Sequence, residues 1–225
     1  MSFSIPQGVL PCRELVEILL PAFVPCQHFR GSCQTMRWRP EQGHMPRGFC
    51  GATGTLDEVE VVFIVAEPGD PHPSEAYEAE ASPFEKLSRV YQYVYQCFET
   101  GHDQFHRNVR DILRLCWPHL AFHEHMRRVW ITESLLCSAA REGGYVLASV
   151  HRQCYGQYLK RQLAVLSGRT VVALGKKAQD RVGHIDGMLR AAAVAPPGCN
   201  FKGARQSWER VAEVVRMRRH ENGER

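Results

Sequence analysis

Residues 63–73, FIVAEPGDPHP, place side chains that could do acid–base chemistry directly after an apolar run. The run over residues 59–65 is rich in β-branched side chains, which predicts a strand covered on both faces. Ligands bind beyond the carboxyl ends of such strands in open parallel sheets. The prolines fix φ and reduce the entropy of the loop, which suits holding Glu67, Asp70 and His72 in place. The loop is therefore a candidate catalytic site, and an ordinary strand-to-helix connection is the alternative.

The nine cysteines are a second set of side chains with reactive chemistry. Their number is odd and their spacing is wide, which does not indicate a disulfide framework. The first residues, MSFSIPQGVLPCREL, do not join a basic segment to an apolar one, so no secretory signal is predicted. The expected setting is the reducing cytoplasm, where disulfides are disfavoured. Metal ligation, a metal cluster or buried thiols are the interpretations that remain.

The overall composition is typical of a folded globular chain. Of the 225 residues, 44% are hydrophobic and 23% are charged, which allows one substantial α/β domain. The formal net charge of +4 is compatible with a polyanionic partner without requiring one. No apolar run is long enough for a membrane span, so no membrane partner is expected.

Strand and helix patterns alternate along the chain. Strands are predicted over residues 59–66, 128–137, 169–175 and 189–195. Helices are predicted over residues 11–24, 84–100, 104–117, 154–166 and 204–218. Strands separated by helices imply parallel pairing with right-handed crossovers. We therefore predict a single domain over residues 1–225, in which a loop-rich part (1–58) packs on a core (59–218). The predicted fold class is α/β, a three-layer α/β/α sandwich with a central, mainly parallel four-stranded sheet.

Four motifs follow one another along this chain. They are VVFIVAEPG (61–69), SPFEKL (82–87), VWITESLLC (129–137) with CYGQYLKRQLAVLSGRTVVALGKKA (154–178), and AAAVAPPGCNFKGARQSW (191–208). Over roughly residues 26–215 this set resembles the uracil-DNA glycosylase superfamily, especially its iron–sulfur-containing branches. Those branches carry a GEAPG-like loop after the first strand, then PF, a TN…C strand and a C…L…LG..A segment. The resemblance implies a DNA repair enzyme that hydrolyses the N-glycosidic bond of a flipped-out deaminated base, uracil above all.

The resemblance implies a base pocket formed by Phe84, Gly69 and Glu133. Phe84 matches the stacking phenylalanine of the PF element, and a core aromatic at a helix start is the alternative. The family strand usually ends in TN, and its asparagine reads the pyrimidine edge, whereas this chain has Thr132 and Glu133. An ionised carboxylate only accepts hydrogen bonds, but burial would raise the pKa of Glu133 and let it donate as well. Hypoxanthine or xanthine is therefore an alternative to uracil.

By the same resemblance the loop AEPGDPHP supplies the catalytic groups. Glu67 or Asp70 would orient the attacking water or balance the oxocarbenium-like charge, and Glu67 is preferred because it lies on the motif itself. His72 would stabilise the departing base anion. No lysine is placed at the motif loops as a Schiff-base nucleophile, which predicts a monofunctional glycosylase. No nucleotide cofactor is expected.

The last motif departs from the family pattern, in which an HPS-like turn places a histidine near the leaving base. This chain has APPGCN, so His72 or a backbone amide would have to replace that histidine. The turn and the start of the last helix are still suited to contacts with DNA phosphates. DNA binding is assigned to Gly198, Asn200, Lys202 and Arg205. The missing histidine keeps a second hypothesis open, a non-catalytic module that binds damaged or abasic DNA.

The expected partner is DNA, single- or double-stranded, that contains a deaminated base and is bound by a monomer. Other basic residues are candidates for the DNA surface: Arg30, Arg37, Arg39, Arg47, Lys176, Lys177, Arg181 and the tail RMRRH. Scattered arginines more often form a solvated surface, so none of these assignments is specific.

The resemblance further implies a [4Fe–4S] cluster held by Cys26, Cys33, Cys137 and Cys154. Four thiolates satisfy such a cluster, whose role would be structural. Six residues separate Cys26 from Cys33, more than in the family, so Cys12 or Cys50 is an alternative ligand. Zinc is an alternative metal. Cys97, Cys116 and Cys199 are expected to be buried thiols.

Overall fold

The computed structural model describes residues 9–139 and 144–221. Within these residues it contains five strands: β1 (Cys50–Gly51), β2 (Val61–Val65), β3 (Val129–Glu133), β4 (Thr170–Leu174) and β5 (Leu189–Ala191). The α-helices are α1 (Arg13–Leu19), α2 (Pro83–Thr100), α3 (Gln104–Cys116), α4 (Phe122–Arg128), α5 (Ala148–Cys154), α6 (Lys160–Val165), α7 (Lys176–Val182) and α8 (Gly203–Glu221). Short 3-10 turns cover Leu20–Phe23, Gln27–Arg30, Pro40–Gln42 and Leu56–Glu58. Both ends of the predicted 1–225 domain lie outside the described residues.

The strands form one mixed sheet in the order β1-β3-β2-β4-β5. Strand β2 pairs in parallel with β3 and β4, and β4 pairs in parallel with β5. Among the described strands, β1 alone pairs antiparallel, against β3. The α/β class and the mainly parallel sheet are therefore confirmed. The strand count was wrong, because the described part of the sheet has five strands rather than four. The additional strand is a two-residue edge pairing, which is too short to produce a periodic hydrophobic pattern.

Helices cover both faces of the sheet because the connection from β2 to β3 and the connection from β3 to β4 run in opposite directions along the strand order. Strands β3 and β4 lie on opposite sides of β2. Right-handed crossovers therefore place the helices of the β2–β3 connection and those of the β3–β4 connection on opposite faces. Helix α3 packs against α8, and α7 packs against β2 and β4. Among the described residues, no helix is both long and apolar enough to cross a lipid bilayer.

The central strands are buried on both faces, as their apolar sequence requires. Every residue of β2 and β3 is buried, including the large side chain of Trp130. Leu15 and Leu19 of α1 join the same core, together with Phe49 from the loop-rich segment. This part of the loop-rich region thus shares its hydrophobic core with the sheet, which stabilises its position at the strand ends.

Local sequence signals explain where the helices begin. SPFE encodes a capping box, in which Glu85 N donates to Ser82 Oγ (3.3 Å) and Ser82 N donates to Glu85 Oε2 (2.8 Å). Pro83 occupies the first helical position, where its missing N–H costs nothing. The helix predicted over residues 154–166 begins earlier, at Ala148. It continues from α5 to α6 through a π-helical turn, Tyr155–Leu159.

Candidate active site

The carboxyl ends of β2 and β3 bring two buried glutamates together. Val65, the last residue of β2, pairs with Glu133, the last residue of β3. Glu67 follows two residues after β2 and keeps only 5% of its side chain exposed. Glu133 is likewise 5% exposed, and the negative charge of Glu67 helps to raise its pKa. The loop residue and the base-edge residue predicted from the sequence therefore belong to one electrostatic unit.

Glu67 is held between two cations of α7. Nζ of Lys177 contacts its Oε1, and Nη1 of Arg181 lies 2.6 Å from its Oε2. The Arg181 contact is an ion pair without a directed hydrogen bond. Lys177 also donates to the carbonyl of Gly144 at 3.0 Å. Both carboxylate oxygens are thus engaged, which suits Glu67 to hold the loop rather than to activate a water molecule.

Arg181 fixes the ends of the two central strands to each other. Its Nη1 donates to the carbonyl of Ala66 (2.9 Å) and to Oγ of Ser134 (3.0 Å). Ser134 Oγ in turn donates to the same Ala66 carbonyl at 2.5 Å. The side chain of Arg181 is only 11% exposed. Its candidacy for the DNA surface was therefore wrong, because these partners hold the guanidinium inside the molecule.

Glu133 has none of the partners that Glu67 has. Within the described residues its buried Oε2 has no hydrogen-bond partner. Gly48 lies directly against it, since a Cβ at Gly48 would stand 2.4 Å from Glu133 Oε1. Burial raises the pKa of Glu133 well above its usual range, and Glu67 raises it further against the opposing effect of Arg47 and Arg181. The raised pKa favours the neutral carboxyl form of Glu133, which can donate one hydrogen bond and accept others.

Arg47 connects three segments around this site. Its Nη1 donates to the carbonyl of Gly43 (3.0 Å) and to Oγ of Ser138 (2.9 Å). Its Nη2 donates to the carbonyl of Gly69, and its Nε lies 3.9 Å from Glu75 Oε2. Arg47 is 7% exposed, so placing it on the DNA surface was wrong. Instead it joins the loop-rich segment, the first-motif loop and the loop after β3.

Asp70 and His72 lie on the open rim of the first-motif loop. Half of the Asp70 side chain is exposed, and its carboxylate is 4.0 Å from Arg37 Nη1. His72 is exposed, with its Nδ1 2.7 Å from Ser74 Oγ and its ring edge-on to that of His102 at 5.4 Å. Both side chains can therefore reach a ligand that approaches the loop from solvent.

The four residues assigned to DNA are all exposed on the last-motif turn and the start of α8: Gly198, Asn200, Lys202 and Arg205. Asn200 Oδ1 accepts a hydrogen bond from Gln104 Nε2 at 3.0 Å, which ties the turn to the start of α3. Arg205 pairs with Glu209 at 3.1 Å in an exposed ion pair. The structure therefore leaves this turn open to a partner.

Two aromatic side chains are exposed near the motif segments. Phe84 is 49% exposed in the first turn of α2, so it is not the core aromatic that was the alternative interpretation. Phe201, on the last-motif turn, is 57% exposed and was not singled out from the sequence. An exposed phenylalanine in a loop is a signal for a binding surface, because an apolar ring in water is costly.

The four predicted cluster ligands line a single cavity. Cys26 and Cys33 come from the loop-rich segment, Cys137 from the loop after β3 and Cys154 from α5. The other lining residues are mainly apolar: Ala22, Phe29, Met36, Leu135, Leu136, Gln153, Gln157 and Tyr158. The cavity volume open to water-sized molecules is about 30 Å³. Four thiols are the kind and number of donors that a [4Fe–4S] cluster requires, so these residues match it in chemistry.

The alternative ligands lie elsewhere. Cys50 is fully buried in the main core, and Cys12 packs against that core. Burial raises the pKa of the Cys137 thiol well above its usual range and that of Cys154 to about 11. Ligation would therefore release protons from these thiols. Among residues 9–139 and 144–221, no group of three or more Cys, His, Asp or Glu side chains is arranged to hold a metal ion. A cluster at this cavity would join the loop-rich segment to the strand ends.

No protein-family model matches the chain, and no curated protein sequence matches it significantly. The family resemblance consequently stays a prediction that depends on the motifs. The site includes four residues that the sequence analysis did not assign to it: Lys177, Arg181, Arg47 and Gly48. The spacing of two of them could have predicted their place. Lys177 and Arg181 are four residues apart soon after β4, which puts both on one face of a helix near the strand ends.

Proposed function

We propose that the chain is a DNA glycosylase that hydrolyses the N-glycosidic bond of an extruded deaminated base, with uracil as the first candidate. The observation that carries this proposal is Glu133, at the carboxyl end of a central strand, whose buried Oε2 has no hydrogen-bond partner among the described residues. A buried polar group without a partner costs free energy and marks a place where a ligand can complete the bonding. A flipped base offers the missing partners.

The neutral carboxyl of Glu133 matches the edge of uracil. Its O–H can donate to O4 while its carbonyl oxygen accepts from N3–H. Hypoxanthine and xanthine present the same pair, a carbonyl next to a ring N–H, so a purine lesion is the alternative substrate. Phe84, with half of its surface exposed, supplies a face on which the base could stack.

The attacking water is assigned to Asp70 rather than to Glu67. Glu67 has a cation on each carboxylate oxygen, whereas Asp70 is half exposed and has only Arg37, at 4.0 Å. This reverses the preference drawn from the motif. Glu67 would instead supply fixed negative charge near the sugar as positive charge develops on it.

DNA would be bound by the exposed last-motif turn. Lys202 is available for phosphates, and Phe201 offers an exposed apolar side chain that could enter a base step as the nucleotide leaves the stack. We place the enzyme in the cytoplasm, where reducing conditions would keep its cysteines as the free thiols seen in the structure.

The test is base release from oligonucleotides that carry one uracil, hypoxanthine or xanthine, in single and double strands, followed by alkaline cleavage. Release of uracil supports the proposal, and release of a purine alone supports the alternative substrate. Glu133→Asn should shift selectivity toward uracil, since an amide presents a fixed donor and acceptor. The control is Glu17→Gln on the exposed side of α1, which should leave selectivity unchanged. Unchanged selectivity in Glu133→Asn would remove Glu133 as the base reader.

A non-catalytic module that binds damaged or abasic DNA is the second candidate. The engagement of Glu67 by two cations favours it, because the motif carboxylate has no free oxygen. Retention of lesion-containing DNA without any base release would establish this module in place of the enzyme.

The cluster proposal has its own test. Protein purified without oxygen should contain iron and acid-labile sulfide and absorb visible light. Cys137→Ser should lose all three signals. Cys116→Ser is the matched control, because Cys116 is a buried thiol of the main core. Iron-free wild-type protein would contradict the proposal.

A further inference from the structure

Lys177 is an amine in direct contact with the first-motif loop. It is the second residue of α7, which follows β4, and its Nζ touches Oε1 of Glu67. Its side chain is 38% exposed, so a ligand at the loop can reach it. Lys177 is 110 residues away from Glu67 in the chain, so no local pattern pairs the two. The argument for a purely monofunctional glycosylase, which was the lack of such a lysine, therefore no longer applies.

Lys177 has a carboxylate and a second cation as close neighbours. Glu67 is a proton acceptor in contact with Nζ. Arg181 shares this carboxylate, with Nη1 2.6 Å from Oε2, so Lys177 does not have the negative charge to itself. Schiff-base lysines in other sites are activated in this way, by a second cation and partial removal from water.

We propose that the same site carries an abasic-site lyase activity in which Lys177 is the nucleophile. The proposal rests on the proposed function, because an abasic sugar is what base release leaves at the loop. The substrate class is DNA with an abasic deoxyribose, whose ring-opened form presents an aldehyde at C1′.

The steps balance without a further reactant. Glu67 takes a proton from the Lys177 ammonium, and the neutral Nζ adds to C1′ to give a carbinolamine. The proton on Glu67 leaves with the carbinolamine hydroxyl as water, which forms a protonated imine. The Glu67 carboxylate then accepts a C2′ proton, the electron pair forms the C2′–C3′ double bond, and the C3′–O bond breaks with departure of the phosphate. Water hydrolyses the imine and frees Lys177.

The neighbouring residue is a matched control. Lys176 is 83% exposed and pairs with Asp180 at 2.5 Å, four residues along the same helix. It has the same side chain and the same distance along the chain from every motif, but it faces away from Glu67. Lys177→Arg keeps a cation against Glu67 while removing the ability to form a stable imine.

The experiment uses the full chain and an oligonucleotide with a preformed abasic site, so that base release is not needed. Sodium borohydride is added to reduce the imine, and the covalent protein–DNA adduct is measured on a denaturing gel. Wild-type protein and Lys176→Arg should form the adduct, Lys177→Arg should lose it to the level without protein, and peptide mapping should find it on Lys177. Base release from uracil-containing DNA is measured beside it.

Two outcomes overturn the lyase proposal: no adduct with wild-type protein, or an undiminished adduct with Lys177→Arg. Peptide mapping decides the point even where a variant folds poorly. The two proposals fail separately. Base release without an adduct leaves the glycosylase and removes the lyase, whereas an adduct on Lys177 without base release leaves a lyase and removes the glycosylase.

Discussion

Glu67 and Glu133 stand at the ends of adjacent parallel strands, equally buried, and their surroundings are opposite. Glu67 has a cation on each carboxylate oxygen, while Glu133 has a buried oxygen without a partner. In the first arrangement ion pairs neutralise both oxygens and hold the loop. The second is incomplete and leaves a donor and an acceptor for something else. In a buried site, the group whose bonding is unfinished is the better candidate for ligand contact.

The two carboxyls also depend on each other. The charge on Glu67 is one of the causes that raise the pKa of Glu133, after burial. Arg47 and Arg181 act in the opposite direction and lower that pKa, so burial and Glu67 together outweigh the two cations.

The largest effect is expected from removing Arg181. Arg181→Met should destabilise the fold by about 3–5 kcal/mol, because it breaks a buried ion pair and leaves Oε2 of Glu67 without its cation. Urea unfolding at neutral pH measures the difference. Arg205→Met is the control, since its ion pair with Glu209 is exposed, and it should change stability by less than about 0.5 kcal/mol. Equal losses of stability in the two variants would show that the buried ion pair between Arg181 and Glu67 stabilises the fold no more than an exposed ion pair does.

Sequence patterns predicted the parts of this site that lie on regular elements. The apolar runs gave β2 and β3, and SPFE gave the start of α2, because period and capping chemistry are local. Arg47 and Arg181 could not be placed, since an arginine looks the same in sequence whether it meets solvent or a buried carbonyl. Their burial depends on Gly69, Ser134 and other residues that are distant in the chain.

The second effect concerns the pH dependence of stability and depends on Glu133 alone. A carboxyl whose pKa is raised on folding binds a proton more tightly in the folded state. Its contribution is therefore fully present below the ordinary glutamate pKa and is lost as pH rises toward the raised value. One proton corresponds to about 1.4 kcal/mol per pH unit. Glu133→Gln has no such proton, so its stability relative to wild type should improve as the pH rises from 5 to 7.

Urea unfolding of both proteins across this pH range measures how their difference in stability changes with pH. A cost of the substitution that does not depend on pH has no effect on this change. Parallel curves would mean that Glu133 is ionised in the folded state, and the base-edge assignment would then lose its donor.

The third effect separates crowding from backbone strain. Gly48 and Gly168 have the same positive φ of 82°, but a Cβ at Gly48 would meet Glu133 at 2.4 Å, whereas Gly168 has open space. Gly168→Ala should cost about 1–2 kcal/mol from strain alone. Gly48→Ala should cost about 1–2 kcal/mol more, because Glu133 must move. In a Glu133→Ala background the additional cost should vanish. A persisting difference would mean that Gly48 does not shape the surroundings of Glu133.

The cysteine cavity is a second case in which residues far apart in the chain come together without a local sequence pattern to predict it. Cys26 and Cys154 are far apart in the chain and carry no periodic signal, so only the resemblance brought them together in advance. The structure places them on one cavity with Cys33 and Cys137. The wide gap after Cys26 left Cys12 and Cys50 as alternative ligands. Both belong to the main core rather than to the cavity, which the structure shows and the sequence could not.

The smallest effect is expected at Lys177. Its contact with Glu67 is 38% exposed, so solvent screens it, and Lys177→Met should cost no more than about 1 kcal/mol, less at high salt. Lys177→Arg should cost less still, because a cation remains on Glu67. Urea unfolding at low and high salt measures both. A loss as large as that of Arg181→Met would make Lys177 a structural partner of Glu67. A small loss leaves its amine available for chemistry, which is the condition that the lyase proposal requires.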